Sequence, residues 1–401
     1  MTHKELLETA EHFENPLYVY DLQRIEGQYH QLLEAFSAMD TRFFYACKAL
    51  SNINILKYIC RLGLGLDCVS INEVLLGLRA GFTPQNIIFT PNSVGIEEIY
   101  EAQALGVHIN IDTISILEQF GHKFGGSYPI FIRLNPHILA GGNYKISTGH
   151  IDSKFGISIH QIRHILRIVE ATKLNVVGLH VHTGSEIKDP SVFVKNVEIL
   201  LDLVEQFPNV KYLDLGSGFK VPYQTHEKGT DVKLVGQHLT EAIQNYEKAH
   251  NRKLEIWFEP GKYLVSQAGY LITQVNQIKH TTATVFAGIN SGFNHLIRPM
   301  FYDAYHHIEN LSNPNGNERL YTVVGNICET DTFAWDRTIN EIRVGDFLVF
   351  HNAGAYGFEM SSHFNSRFKP AEVMFLNAKF HLIRRRETLD DLLHTQLEID
   401  F

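Results

Sequence analysis

The stretch "FFYACKALSN" (residues 43–52) sets the fold question. Apolar and aromatic residues run straight into a cation, Lys48. Such a run reads as a buried strand. A lysine at its carboxyl end either reaches solvent, the ordinary fate, or is held there for chemistry. What the rest of the chain places beside it decides between the two.

Working outward, "RFFYAC" (42–47) is the first of eight short β-rich runs. The others are "GLDCVS" (65–70), "NIIFTP" (86–91), "VHINID" (107–112), "IFIRLN" (130–135), "VVGLHVH" (176–182), "YLDLG" (212–216) and "EIWFEP" (255–260). Amphipathic stretches such as "NEVLLGLRAGF" (72–82), "HQIRHILRIVEAT" (160–172) and "FVKNVEILLDLVEQF" (193–207) lie between them. Eight strands alternating with helices fit an α/β fold of the (β/α)₈ TIM-barrel type over residues 20–265. A doubly wound open sheet is the alternative, because periodicity alone does not close a sheet. After about residue 265 the texture changes. "YLITQVNQIKHTTATVFAGI", "RLYTVVGNI", "IRVGDFLVFHNAG" and "EVMFLNAKFHLI" are strand-like with few helices between them. They predict an antiparallel β domain over 266–401, completed by residues 1–19.

Composition bounds the function. The 401 residues are 44% hydrophobic, enough for a large core and too long for most single domains. A net charge of −9, with no basic block longer than Arg384-Arg385-Arg386, argues against nucleic acid. No apolar run approaches a membrane span of roughly 18–20 residues, and the charged, helical start "MTHKELLETAEHFENP" is no signal peptide. Cys47, Cys60, Cys68 and Cys328 show no metal-type pairing, so free thiols in a reducing cytoplasm are expected.

In a (β/α)₈ barrel chemistry collects at the carboxyl ends of the strands. Those ends carry Lys48, the pair His180 and His182, Gly216-Ser217-Gly218, and Glu259-Pro260-Gly261-Lys262, with Gly184 and Ser185 in "HTGSE" nearby. A lysine in a largely apolar pocket loses its charge and becomes an amine able to condense with an aldehyde. Alternation puts both histidines of "HVH" on one side of a strand, as some barrel hydrolases hold zinc. No other histidine or acid repeats that spacing at a neighbouring strand end, so the ligand set looks incomplete and no metal is expected. The glycines of "DLGSGF" let backbone N–H groups close on an anion. Glu259 ends an apolar strand where a carboxylate needs a partner. One ligand unites these residues: pyridoxal 5′-phosphate. Lys48 meets its aldehyde, the glycine loops and Ser185 its phosphate, an imidazole its ring face, and Glu259 its ring nitrogen. A carboxylate at that nitrogen keeps it protonated and favours decarboxylation over racemisation.

The chain resembles the diaminopimelate decarboxylases, in the alanine-racemase-like barrel group of pyridoxal-phosphate enzymes. The resemblance rests on "YACKAL", "LGLDCVSINEV", "SKFGI", "GLHVHTGSEI", "LGSGFKVPY", "FEPGKYLV", "LIRPMFYDAYH", "CETDTF" and "NAGAYG", in family order over nearly the whole chain. It implies that Lys48 is the Schiff-base lysine and His182 the ring-stacking histidine. Ser185, Gly216, Gly218 and the "EPGK" turn (Glu259, Gly261, Lys262) would hold the cofactor, and Cys328 would be the proton donor. Arg298, Tyr302, Glu329 and Lys262 would contact substrate, and Tyr356 both substrate and cofactor. It also implies a homodimer, in which Cys328, Glu329 and Tyr356 enter the neighbouring subunit's site, and products L-lysine and CO₂ from meso-diaminopimelate. That substrate explains the residue types. One end sits on the cofactor, and the distal carboxylate and ammonium suit the Arg298 fork and Glu329.

Three positions depart from the family pattern: Lys262 replaces an arginine, Asn290 a common aspartate and Asn326 a frequent proline. The rival readings are a decarboxylase of ornithine, lysine or a siderophore intermediate on the same fold, a non-catalytic carrier of pyridoxal phosphate, and a zinc hydrolase.

Overall fold

The computed structural model describes residues 1–138, 149, 153–224 and 226–401. The chain divides into two compact units: Gly27–Val221 with Lys228–Tyr263, and Met1–Glu26 with Pro222–Glu227 and Leu264–Phe401.

The first unit is a closed parallel barrel. Its strands are β2 (Thr41–Ala46), β3 (Gly65–Cys68), β4 (Ile87–Phe89), β5 (His108–Ile111), β6 (Pro129–Asn135), β8 (Asn175–Val181), β9 (Tyr212–Asp214) and β10 (Glu255–Phe258). Each pairs in parallel with its neighbours, and β7 (Ile157–Ser158) adds a short pairing to the end of β6. Closure comes from β5 against β6 and from β10 against β2, where Ile256, Trp257 and Phe258 register with Thr41, Arg42 and Phe43. The open-sheet alternative would leave those strands as edges, and it is excluded.

Burial on both faces explains why these strands read as apolar runs rather than alternating ones. Within the barrel, Phe44, Ile88, Phe131 and Trp257 form one buried cluster, with the Trp257 ring centroid 4.4 Å from that of Phe44 and 4.8 Å from that of Phe131. This plug is contributed by β2, β4, β6 and β10, so the barrel is a packed core and not a pore. The covering helices start on side-chain caps. Ser70, Thr113 and Asp231 accept the N–H groups of Glu73, Ile116 and Leu234 at the starts of Ile71–Ala80, Ile114–Phe124 and Val232–His250. Each cap is worth on the order of 1 kcal/mol.

The second unit is built on β1 (Leu17–Asp21), which pairs antiparallel with β11 (Gly269–His280) and parallel with β17 (Ala371–Leu376). β12 (Val285–Ile289), β13 (Ile308–Asn310), β14 (Glu318–Val324), β15 (Thr332–Asn340), β16 (Phe347–Phe350) and β18 (Lys379–Arg384) complete it. Most pairings are antiparallel, as expected, but β1–β17 and β12–β14 are parallel, so the sheet is mixed. Leu6 and Ala10 of the N-terminal helix His3–His12 pack with Leu17, Val19, Ile272 and Val349 in its core.

Candidate active site

All eight barrel strands deliver a polar side chain at or near their carboxyl ends. Lys48 sits in a one-turn 3₁₀ helix, Cys47–Ala49, directly after β2. Asp67 comes from β3, Thr90 follows β4, and Asn110 and Arg133 come from β5 and β6. His180 lies in β8, with His182 just beyond it. Asp214 ends β9, and Glu259 follows β10.

The surroundings of Lys48 correct one expectation: they are ionic rather than largely apolar. Its side chain is 43% exposed, and Nζ lies 3.8 Å from Asp67 Oδ2. Asp67 is buried and takes a hydrogen bond from the Thr90 hydroxyl. Burial, and then the charge of Glu259, push its carboxyl up to about 7 against the pull of Lys48. The strand ends gather charge because every strand supplies one polar group to a small area.

A second expectation also changes. Sequence spacing gave His180 and His182 no further ligand, yet His180, Asp214 and Glu259 are buried together with their donor atoms within 4.8 Å of one another. Asp214 was missed because "YLDLG" reads as an apolar strand. The composition suits a cation, but Arg133 and Lys48 stand beside the cluster and oppose one, both depressing His180. Asp214 rises well above the usual carboxylate range, first through burial and then through the charge of Glu259. Glu259 rises too, by burial, with Lys48 and Arg133 acting against it.

Around this cluster the loops form a cradle. Gly216 has φ +59°, and a Cβ there would lie 2.6 Å from His182 Nδ1, so the imidazole lies against bare backbone. Ser217 N–H donates to the same Nδ1 at 3.3 Å. Burial, then Arg133 and Lys48, hold His182 well below its usual pKa and therefore neutral. Gly218, at φ +112°, comes so close to the next turn that a Cβ would meet Gly184 O at 2.5 Å. Its carbonyl accepts Ile187 N–H at 2.8 Å, which closes the turn holding half-buried Ser185. At Gly261 a Cβ would lie 3.0 Å from Ala46 Cβ and 3.1 Å from Ala49 Cβ, so "EPGK" packs beside the Lys48 turn. Lys262 is buried and donates to Glu186 Oε1 at 3.0 Å.

The remaining expected residues lie in the other unit. Arg298 starts the short helix Arg298–Tyr302 and is buried. Its Nη2 donates to the Tyr223 hydroxyl at 3.2 Å, its guanidinium lies 5.5 Å and 5.9 Å from the ring centroids of Tyr223 and Tyr302, and its Nε has no hydrogen-bond partner. Among the described residues no carboxylate pairs with it. Tyr302 and Tyr356 are half-buried, and Tyr356 has φ +59°. Cys328 and Glu329 are exposed. Cys328 N–H donates to Asn365 Oδ1 at 2.9 Å, and Asn365 Nδ2 donates to Sγ at 3.1 Å.

Two of the departures have local explanations. Asn326 N–H donates to Ser291 O at 2.9 Å, a bond a proline would lack. Asn290 Nδ2 reaches Asn15 Oδ1 at 2.7 Å while its Oδ1 accepts Gln274 N–H at 2.9 Å, so it ties the approach to β1 onto β11.

Comparison with known proteins agrees with this arrangement. Residues 22–266 match the sequence profile of the pyridoxal-dependent decarboxylases, pyridoxal binding domain. The diaminopimelate decarboxylase of Methanothermobacter thermautotrophicus is 38% identical over 98% of this chain and 94% of its own. That of Escherichia coli is 33% identical over 99% and 97%. The crystal structure of diaminopimelate decarboxylase from Helicobacter pylori, complexed with L-lysine, superposes with a TM-score of 0.89 at 32% identity over 98% of both chains. With its closed barrel, its mixed β unit and near full-length similarity, the chain belongs to the pyridoxal-dependent decarboxylases, among the diaminopimelate decarboxylases.

Proposed function

We propose that this chain decarboxylates meso-2,6-diaminopimelate to L-lysine and CO₂ with pyridoxal 5′-phosphate as cofactor. One observation carries the reading: a single barrel face offers a separate group for each part of that cofactor. Lys48 is an amine for the aldehyde, and neutral His182 is a flat surface for the ring. The turns at Gly216 and Gly218, with Ser185 and the Gly261 turn, make a cradle for the phosphate. Glu259 has a buried oxygen, Oε1, with no hydrogen-bond partner, which suits the N–H of a protonated ring nitrogen. Leaving such a group unmatched costs about 1–3 kcal/mol or more, so it is supporting ground for a ligand there.

Bound, the cofactor supplies an electron sink for the pair left when CO₂ departs. The chain's own residues do the rest. Asp67, poised near neutrality 3.8 Å from Lys48 Nζ, is placed to take up a proton that the ammonium sheds. The Lys262 ammonium and the Tyr356 hydroxyl add polar contacts to cofactor and substrate. Arg298, a buried cation without a carboxylate, takes the substrate's distal carboxylate, with Tyr302 against its guanidinium. Glu329 takes the distal ammonium. Cys328 Sγ delivers the proton that replaces CO₂.

The working unit in this reading is a homodimer, each subunit lending Cys328, Glu329 and Tyr356 to its partner's site. Exposure of Cys328 and Glu329, together with Leu320 and Trp335 at 60% and 64% exposed on β14 and β15, supports an interface there. We place the enzyme in the cytoplasm: none of the four cysteines forms a disulfide, and among the described residues no helix is long and apolar enough to cross a membrane.

The test is CO₂ release from meso-diaminopimelate, L-lysine and L-ornithine by the purified holoenzyme. Turnover confined to diaminopimelate is expected. Turnover on ornithine or lysine with none on diaminopimelate would overturn the substrate, and a colourless protein without turnover would overturn the cofactor.

A further inference from the structure

His180, the first histidine of "HVH", is fully buried and takes no part in the chemistry described above. Asn110 Nδ2 lies 2.6 Å from its Nδ1. An amide nitrogen can only donate, so Nδ1 is the acceptor and the ring proton sits on Nε2. Nε2 lies 3.3 Å from Glu259 Oε2, near enough for electrostatic attraction but outside hydrogen-bond geometry, and is left with no hydrogen-bond partner. Burial, then the charges of Arg133 and Lys48, hold His180 well below its usual pKa, so the ring carries that one proton and no second. A neutral imidazole protonated on Nε2 turns the positive end of its N–H dipole toward that carboxylate oxygen.

Lys48 and Arg133 favour an ionised Glu259 by charge, and a hydrogen bond from the Asp214 carboxyl favours it as well, against the opposing effect of burial. Asp214 Oδ1 is occupied by Gly216 N–H at 2.9 Å. Of the two oxygens of Glu259, Oε2 is the one nearest His180, and Oε1 is buried with no hydrogen-bond partner.

We propose that His180, oriented by Asn110, is a positioning residue that holds Glu259 through Oε2 and presents Oε1, as a carboxylate oxygen, to the cofactor's ring nitrogen. The arrangement parallels the carboxylate–histidine pairs that orient metal ligands, with a ring N–H in the place of the metal. It rests on the pyridoxal-phosphate reading of the site.

The test uses holoenzyme loaded with pyridoxal phosphate labelled with ¹⁵N at the ring nitrogen. The ¹⁵N shift reports protonation of that nitrogen independently of turnover. The wild type should give the protonated shift. His180→Phe, which keeps a ring and removes the donor, should move the shift toward the unprotonated value, release cofactor several-fold faster and lower kcat about tenfold or more with little change in KM. His180→Gln, whose amide can still donate, should recover much of each effect. Asn110→Ala, which leaves the imidazole but frees its orientation, should move the same way by less, and it serves if His180→Phe does not fold. A wild-type-like shift and cofactor release rate in His180→Phe and Asn110→Ala would reduce His180 to a space-filling residue. Glu259→Gln separates this from the parent reading: if it leaves the ¹⁵N shift unchanged, Glu259 does not face the ring nitrogen at all.

Discussion

The two units each bury an arginine, and the contrast between them divides the chemistry. Burial lowers the pKa of Arg133 in the barrel, and the charges of Glu259, Asp112, Asp67 and Asp214 around it partly offset that effect. Arg298 in the β unit is equally buried, yet its companions are two tyrosine rings and one hydroxyl, and Nε has no partner. Burying a guanidinium without an anion is costly unless the anion arrives from elsewhere. The barrel therefore balances its charges internally and leaves open a neutral-ring surface, an amine and one carboxylate oxygen, the needs of a resident cofactor. The β unit leaves open a positive charge, the need of a transient, anionic substrate.

The sharpest way to break this division is at Lys48. Lys48→Ala should abolish the visible absorbance of protein-bound pyridoxal phosphate and reduce CO₂ release by roughly three orders of magnitude or more, as loss of a covalent catalyst does. Retention of both would assign the cofactor to another amine. Cys328→Ala comes next. It should keep the absorbance and lower kcat by about 10² or more, the usual contribution of a positioned general acid. An unchanged kcat would return Cys328 to the status of an ordinary exposed thiol.

Arg298→Ala tests the substrate side. Losing a charged hydrogen bond to the distal carboxylate costs on the order of 2–3 kcal/mol, a fall of about 30- to 150-fold in kcat/KM for diaminopimelate. Cofactor absorbance should not change, and any residual activity on amino acids lacking a distal carboxylate should be untouched. An equal loss on all substrates would mean that Arg298 supports the fold of the unit instead. The contrast with Arg133 predicts that Arg133→Ala disturbs the cofactor spectrum, because it strips the counter-charge from four buried carboxylates.

How far this division was legible in the sequence follows from where each signal resides. The barrel strands were readable because a parallel strand covered on both faces is written as an unbroken apolar run. Their closure was not, since β10 meets β2 across more than 200 residues and no local pattern records which strands meet. The same limit hid the parallel pairings of β1 with β17 and β12 with β14 inside what reads as an antiparallel domain. In the site, Lys48, His182 and Glu259 stood out because each interrupts the end of an apolar run. Asp67, Asn110, Arg133 and Asp214 lie within "GLDCVS", "VHINID", "IFIRLN" and "YLDLG", where they were read as parts of strands. A charged or amide side chain inside an otherwise apolar strand was the available signal, since such a group is buried only with partners. Cys328 carries no such physical mark. It was singled out by resemblance alone, and its bonds to Asn365 are visible only in three dimensions.

The smallest effect concerns the charge balance of the barrel itself. Asp67 is buried, with its folded-state pKa at about 7 against about 3.9 for an exposed aspartate. A raised carboxyl binds its proton more tightly when folded, so its contribution to stability is complete below about pH 4 and is lost as the pH rises to about 7. Three pKa units correspond to at most about 4 kcal/mol, and relaxation around the site will make the realised loss smaller. Asp67→Asn removes this titration. Between pH 5 and pH 8 the melting temperature of the cofactor-free variant should fall by a few degrees less than that of the wild type. Some slope should remain, because burial raises Asp214 and Glu259 in the same direction. The variant also removes the carboxylate facing Lys48, so its absolute stability at pH 5 is no guide; the difference in slope is the measurement. Parallel melting curves would mean that Lys48 and Thr90 hold Asp67 ionised throughout, and that the barrel's charges are balanced in the folded protein without a proton on Asp67.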